Sequence, residues 1–189
     1  MYKRKNGGCR MKLLYSNILP LGTEEDQETI MDCFNEQMKM ADRVEIAVGY
    51  TSNASLAELD RLVNECNISK VCLNIGMYFI EGMPEGAYHT AIKINEKWQE
   101  AGIGEIRVVK AFKYHGKLFC FYKDGNPFSA IIGSANLGVI KLEASNRRQY
   151  EISAITTDEQ EVAEIAEHIE KPLTVKVVVS KIYIFCSCR

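Results

Sequence analysis

Tyr114-His115-Gly116-Lys117-Leu118-Phe119-Cys120-Phe121-Tyr122 runs into Asp124-Gly125-Asn126-Pro127, and then into Ala130-Ile131-Ile132-Gly133-Ser134-Ala135-Asn136-Leu137. Two apolar runs around a turn sequence predict a β-hairpin, with strands at Lys117 to Tyr122 and Ala130 to Ile132. Residues two apart on a strand share a face, so His115 and Lys117 stand side by side. The return strand delivers Ser134 and Asn136, both hydrogen-bond donors, to the same end. An imidazole that can attack phosphorus or move a proton, beside an ammonium and an amide that can hold non-bridging oxygens, suits phosphoryl transfer. No cofactor or metal is needed on that logic. Gly133 lets the backbone bend and approach a phosphate closely.

Upstream of the hairpin, strand and helix patterns alternate. A short strand at Leu13 to Ser16 precedes a helix opened by Thr23, with Ile30, Met31, Phe34, Met38 and Ala41 on one face. Arg43 to Tyr50 is a strand. Ser55 and Glu58 form a capping box for a helix striped by Leu56, Leu59, Leu62, Val63 and Cys66. Lys70 to Ile75 is the next strand, and a loop with Gly82, Pro84 and Gly86 leads to a helix through Trp98 that ends at Gly102 or Gly104. Glu105 to Val109 returns as a strand. Beyond the hairpin come a strand at Gln149 to Thr156 and a helix capped by Thr157 and Gln160, its Val162, Ile165, Ala166 and Ile169 turned inward. Pro172 separates that helix from a β-rich segment, Thr174 to Phe185. The whole reads as one α/β domain over residues 11–189, a mixed β-sheet flanked by helices, behind a basic leader at residues 1–10.

The 189 residues are 47% apolar and 25% charged, enough to close a core without a staple. A net charge of −2 excludes a globally basic nucleic-acid coat. Between Ile106 and Tyr150, however, Arg107, Lys110, Lys113, Lys117, Lys123, Lys141, Arg147 and Arg148 face only Asp124 and Glu143. That excess predicts a positive patch suited to polyanions, with Lys113, Arg147 and Arg148 as candidate contacts to DNA phosphates. Seven scattered cysteines and no secretory signal point to a reducing cytoplasm with mostly buried thiols. Cys186-x-Cys188 lacks a second ligand pair, so no metal site is expected. The apolar runs fall short of the ~20 residues that span a bilayer, so no membrane association is expected.

His115-x-Lys117 followed by Gly133-Ser134-x-Asn136 resembles the signature of the phospholipase D superfamily, which is His-x-Lys, four residues, Asp, and then Gly-Ser-x-Asn. Tyr122 stands where the Asp falls, and Asp124 comes two residues too late. The Asn146-Arg147-Arg148-Gln149-Tyr150-Glu151 stretch, the Leu13-to-Asn17 opening and the Gly-Ser-Ala-Asn-Leu loop look most like the phospholipase D-like restriction endonucleases of bacteria. The resemblance spans roughly Met11 to Ile169. It implies a catalytic set of His115, Lys117, Ser134, Asn136 and Glu151, in which His115 forms a covalent phosphohistidine and Glu151 hydrogen-bonds the catalytic imidazole. It also implies two such motifs. The chain has one, since neither His89 nor His168 is followed by the Lys, and a homodimer with His115 from each subunit meeting at the two-fold axis is the economical answer.

The resulting expectation is a metal-independent DNA endonuclease of restriction type. No acidic residue is followed two places later by Lys, so the metal-dependent restriction motif is missing, and no Gly-x-x-x-x-Gly-Lys-Ser/Thr loop is present. Two alternatives compete: an inactive phosphate- or DNA-binding dimerisation module, and a phospholipase or phosphatidyl transferase, whose members carry two motifs in a much longer chain. The β-rich ending suggests a catalytic domain alone, with sequence recognition in a separate or missing domain and relaxed specificity.

Overall fold

The computed structural model describes residues 11–78, 82–141 and 149–170. The basic leader, the β-rich segment at 174–185, Cys186, Cys188, Arg147 and Arg148 lie outside the described residues.

Among the described residues, eight strands form one sheet: β1 (Lys12–Tyr15), β2 (Glu28–Thr29), β3 (Arg43–Val48), β4 (Lys70–Ile75), β5 (Gly104–Val108), β6 (Leu118–Lys123), β7 (Asn126–Gly133) and β8 (Ile152–Thr156). Their order is β2-β1-β8-β7-β6-β3-β4-β5. β3, β4 and β5 are mutually parallel, and β6, β7, β8 and β1 follow in antiparallel succession. The helices are α1 (Ile30–Met40), α2 (Asn53–Glu65), α3 (Glu85–Glu100) and α4 (Glu159–Glu170), with a 3₁₀ turn at Leu137–Ile140. The mixed α/β sheet expected from the sequence is therefore what the chain forms.

The sheet is covered on both faces along its centre, which is why β3 is apolar and buried almost without alternation. On one face, α1, α2 and α3 bury Phe34, Met38, Leu59 and Trp98 against Val44, Ile46, Leu73, Phe119 and Phe121. On the other, Val162, Ala166 and Ile169 of α4 cover Ala47, Leu118, Cys120, Tyr122 and Ala130. Asp60 of α2 accepts bonds from the Lys97 ammonium at 2.8 Å and the Trp98 indole N–H at 2.9 Å, locking α2 to α3.

Several sequence-based boundaries move for local reasons. α1 begins at Thr29, not Thr23, because the Thr29 hydroxyl accepts from the Asp32 N–H at 2.9 Å. α2 is capped by Ser52 and Ser55, not by Ser55 and Glu58; each serine hydroxyl accepts from the other's N–H, at 3.1 and 2.9 Å. Glu58 pairs instead with Arg61 and Lys141. At α4, the Asp158 carboxylate accepts from Gln160 and Glu161, both at 3.1 Å. Gly86 lies inside α3 rather than in the loop before it. The β6–β7 turn is only Asp124-Gly125, both at positive φ (51° and 81°), as a tight right-twisted hairpin requires.

Phe34 packs edge-on against both Phe119 and Phe121, with centroids at 5.7 and 5.5 Å, and is almost fully buried. Phe34→Ala is expected to lower unfolding free energy by about 3–5 kcal/mol in urea titrations followed by circular dichroism.

Candidate active site

The carboxyl ends of β3 and β4 meet the entry to β6 and the exit of β7, and these four ends enclose the candidate site. The segment before β6 is laid on the ends of the parallel strands. Tyr114 N–H donates to the Gly76 carbonyl at 3.3 Å, and the backbones approach so closely that a Cβ on Gly76 would stand 2.0 Å from the Tyr114 oxygen. The Tyr114 ring is buried under α4, and burial pushes its phenol up to about 12.

His115 follows, exposed to the groove. The Lys117 ammonium lies 3.0 Å from His115 Nε2 and donates to the His115 carbonyl at 2.8 Å. The adjacency read from the His-x-Lys spacing is thus formed, although strand pairing begins only at Leu118. Lys117 is 9% exposed, and burial lowers its pKa while the nearby Glu151 carboxylate pulls it back up. An ammonium can only donate, so the imidazole nitrogen facing Lys117 can enter this contact only as an acceptor.

At the exit of β7, a Cβ on Gly133 would lie 2.4 Å from the Ser153 Cα, so the loop reaches its position only because that residue is glycine. Ser134 Oγ accepts from the Ile152 N–H at 3.1 Å and donates to the Glu151 carboxylate. Asn136 Oδ1 accepts from the Tyr50 N–H at 3.0 Å. The Glu151 backbone is tied in both directions to Ser16, each bond 3.1 Å. His115, Lys117, Ser134, Asn136 and Glu151 therefore line one open groove of about 1270 Å³, together with Tyr50, Tyr150, Ile132 and the Glu161, Glu164 and His168 edge of α4. Among the described residues, Glu151 bonds Ser134 and forms no hydrogen bond to His115 of the same chain.

The family of restriction-enzyme domains described as "NgoFVII restriction endonuclease N-terminal PLD domain" has a model that matches residues 28–183. The chain belongs to this family. A search of curated proteins finds no match. Among solved structures, this phospholipase D (PLD) domain is similar to Nuc, a phospholipase D family member from Salmonella typhimurium, at 15% identity and a TM-score of 0.58, covering 86% of this chain and 93% of that one. It is similar also to NucT from Helicobacter pylori, at 17% identity and a TM-score of 0.60, covering 89% and 98%. At these identities the likeness shows a shared fold; the family model is what bears out the superfamily read from His115 to Asn136.

The basic stretch of the PLD domain is dispersed by folding. Arg107 pairs with Glu105, Lys141 with Glu58 and Lys123 with Asp42, all away from the groove. Lys113 is exposed on the loop before His115 but does not line the groove. Of the expected positive patch, the described cations Arg107, Lys123 and Lys141 are thus held apart, while Arg147 and Arg148 lie outside the described residues. Among the described residues, no group of three or more His, Cys, Asp or Glu side chains is placed to hold a metal ion.

Two site-forming residues escaped the sequence reading. Gly49 and Tyr50 were absorbed into a strand running to Tyr50, whereas β3 ends at Val48 and leaves them beneath His115 and Asn136. A glycine directly after a buried parallel strand was the available signal.

Tyr122, the departure from the superfamily motif, lies five residues along β6 from Lys117, roughly 16 Å at strand rise. It does not line the groove. Its hydroxyl donates to Glu45 at 2.8 Å, and its ring lies 4.3 Å beneath the Arg43 guanidinium. Tyr122→Asp would set a second carboxylate beside Glu45 and open a cavity. We expect that change to destabilise by at least ~3 kcal/mol in thermal melts, with no gain in activity.

Proposed function

We propose that this PLD domain is a metal-independent DNA endonuclease of restriction type, cleaving phosphodiester bonds through a covalent phosphohistidine. The observation that carries this reading is the 3.0 Å pairing of the Lys117 ammonium with His115 Nε2 inside a groove that also holds Asn136, Ser134 and Glu151. The family match to a restriction endonuclease domain supplies the substrate class.

In this reading the DNA phosphate takes the place that Lys117 now shares with the imidazole. Lys117 swings its ammonium onto a non-bridging oxygen, and Asn136 donates its amide N–H to another. Both contacts strengthen as negative charge builds on those oxygens. The His115 lone pair attacks phosphorus, the bond to the leaving oxygen breaks, and that oxygen takes a proton from a second imidazole. The second imidazole then removes a proton from water, which displaces His115 and releases the phosphate end. With one His-x-Lys motif per chain, we infer that the second imidazole is His115 of another copy, placing the site at a two-fold axis. Glu151, freed from Ser134, is then available to hold an imidazole in the tautomer the attack requires.

The inactive-module alternative drew on Tyr122, and that residue packs at the far end of β6, outside the groove. In supercoiled-plasmid cleavage with excess EDTA, the wild type is expected to nick and linearise DNA, and His115→Ala to lose at least ~10³-fold. Acid-quenched wild type should carry a phosphodiester adduct on His115 by mass spectrometry. Cleavage that vanishes in EDTA, or that survives His115→Ala, would end the histidine mechanism. Sedimentation velocity should give a dimer.

A pH dependence follows from Lys117. Burial lowers its pKa, so as pH rises the ammonium loses its proton before an exposed lysine would. The cleavage rate should therefore fall on the alkaline side at a pH below the usual lysine range, in a profile of single-turnover rate against pH.

A further inference from the structure

Beneath the two groups that the proposed function relies on lies a surface no motif describes. The parallel strands β3 and β4 are each followed directly by a glycine, Gly49 and Gly76, and the segment carrying His115 rests on both. A Cβ on Gly49 would stand 2.9 Å from His115 Cδ2, 3.2 Å from Met77 Cγ and 3.4 Å from Asn136 Oδ1. The position thus touches the imidazole and the amide at once, and its φ is ordinary, so space rather than backbone conformation demands glycine there. The next residue supplies the directional part. Tyr50 N–H donates to Asn136 Oδ1 at 3.0 Å, which fixes the amide flip: with its oxygen engaged, the Asn136 side chain, which lines the groove, has its NH₂ left to donate. The Tyr50 ring meets the His115 ring edge-to-face at 6.0 Å, and a second edge contact to Tyr78 at 5.4 Å braces it.

We infer that Gly49 and the Tyr50 N–H are positioning elements of the active site: Gly49 sets the depth at which the His115 ring lies, and the Tyr50 N–H orients Asn136 as a pure donor towards the scissile phosphate. The inference rests on the nuclease reading for its kinetic consequence and on geometry alone for its spectroscopic one. A nucleophile displaced by a methyl group loses alignment rather than affinity, because the change neither adds nor removes a charge that attracts the DNA backbone.

Gly49→Ala is the test, with Gly86→Ala as control, since a Cβ on Gly86 meets open space on α3. Single-turnover cleavage should fall about 10- to 100-fold in Gly49→Ala, while DNA affinity by fluorescence anisotropy and the melting temperature stay near wild type. Gly86→Ala should match the wild type. Cleavage of Gly49→Ala at the wild-type rate, or a loss that appears only as weaker DNA binding, would overturn the inference. A second measurement holds even where Gly49→Ala does not fold. In ¹⁵N-labelled protein, the Tyr50 amide should be protected from hydrogen exchange. It should lose that protection at least tenfold in Asn136→Ala and keep it in Asn136→Asp, whose carboxylate still accepts. Equal exchange in all three proteins would overturn the orienting role. If the wild type cleaves no DNA, the nuclease reading falls, and the exchange result still decides the geometry.

Discussion

The antiparallel register of β6 against β7, with Leu118 opposite Ile132 and Phe119 opposite Ile131, is the constraint on which the rest of the site depends. A side-chain period of two means that a one-residue slip of β6 would exchange the residues packed under α1 with those packed under α4. The register is held from both ends and both faces. Asp124-Gly125 allows only a tight turn at one end, the α1 aromatic Phe34 grips Phe119 and Phe121 on one face, and α4 covers Leu118, Cys120 and Tyr122 on the other. With the pairing fixed, the residues just before β6 and just after β7 have no choice but to face each other. A hairpin with a rigid tip thus acts at its open end, where Gly133 N–H still reaches the Lys117 carbonyl at 3.4 Å.

The second constraint is electrostatic. An ammonium as buried as Lys117 is tolerated because it has two acceptors on His115 and a carboxylate nearby in Glu151. Removing water from that ammonium makes any later contact with a phosphate oxygen stronger than it would be at an exposed lysine. The neighbouring polar groups are likewise pre-engaged: Ser134 on Glu151 and Asn136 on the Tyr50 N–H. Each group waits with a partner, so a substrate has to exchange contacts rather than find bare ones. The acidic edge of α4, Glu161 and Glu164, lines the same groove. It disfavours a polyanion lying across that wall, and so channels an approaching backbone towards the Lys117 side.

Much of this was legible in the sequence where burial and local pattern agree. β4 was read to the residue, Lys70 to Ile75, because its apolar run is bounded by Ser69-Lys70 on one side and Gly76 on the other. The hairpin and the pairing of His115 with Lys117 followed from period-two geometry alone. Helix starts were less legible. Thr23 precedes an acidic cluster and looks like a cap, yet Thr29 is the residue whose hydroxyl meets a free N–H. Ser52 and Ser55 cap each other without the glutamate that makes a capping box easy to see. The surroundings of the basic stretch between Ile106 and Tyr150 were less legible for a different reason. Charge counted along a chain does not show which carboxylates folding places beside the cations: Asp42 beside Lys123 and Glu58 beside Lys141 come from distant parts of the sequence.

Tyr122 shows how a motif position can change its chemistry without touching the site. At the far end of β6 the strand is buried on both faces, so whatever stands there must satisfy Glu45 and Arg43 of β3. A tyrosine does so with one hydroxyl donated to Glu45 and one ring face offered to Arg43, while Arg43 reaches on to Glu170 at 3.1 Å and pins the end of α4. An aspartate would bring a second anion to a place that already has one. The strand and the segment that leads into it therefore carry two separable demands, packing at Tyr122 and chemistry at Lys117. The fold keeps them apart by five residues of β6, which lets the packing end vary while the groove end retains His115, Lys117, Ser134 and Asn136 in one place.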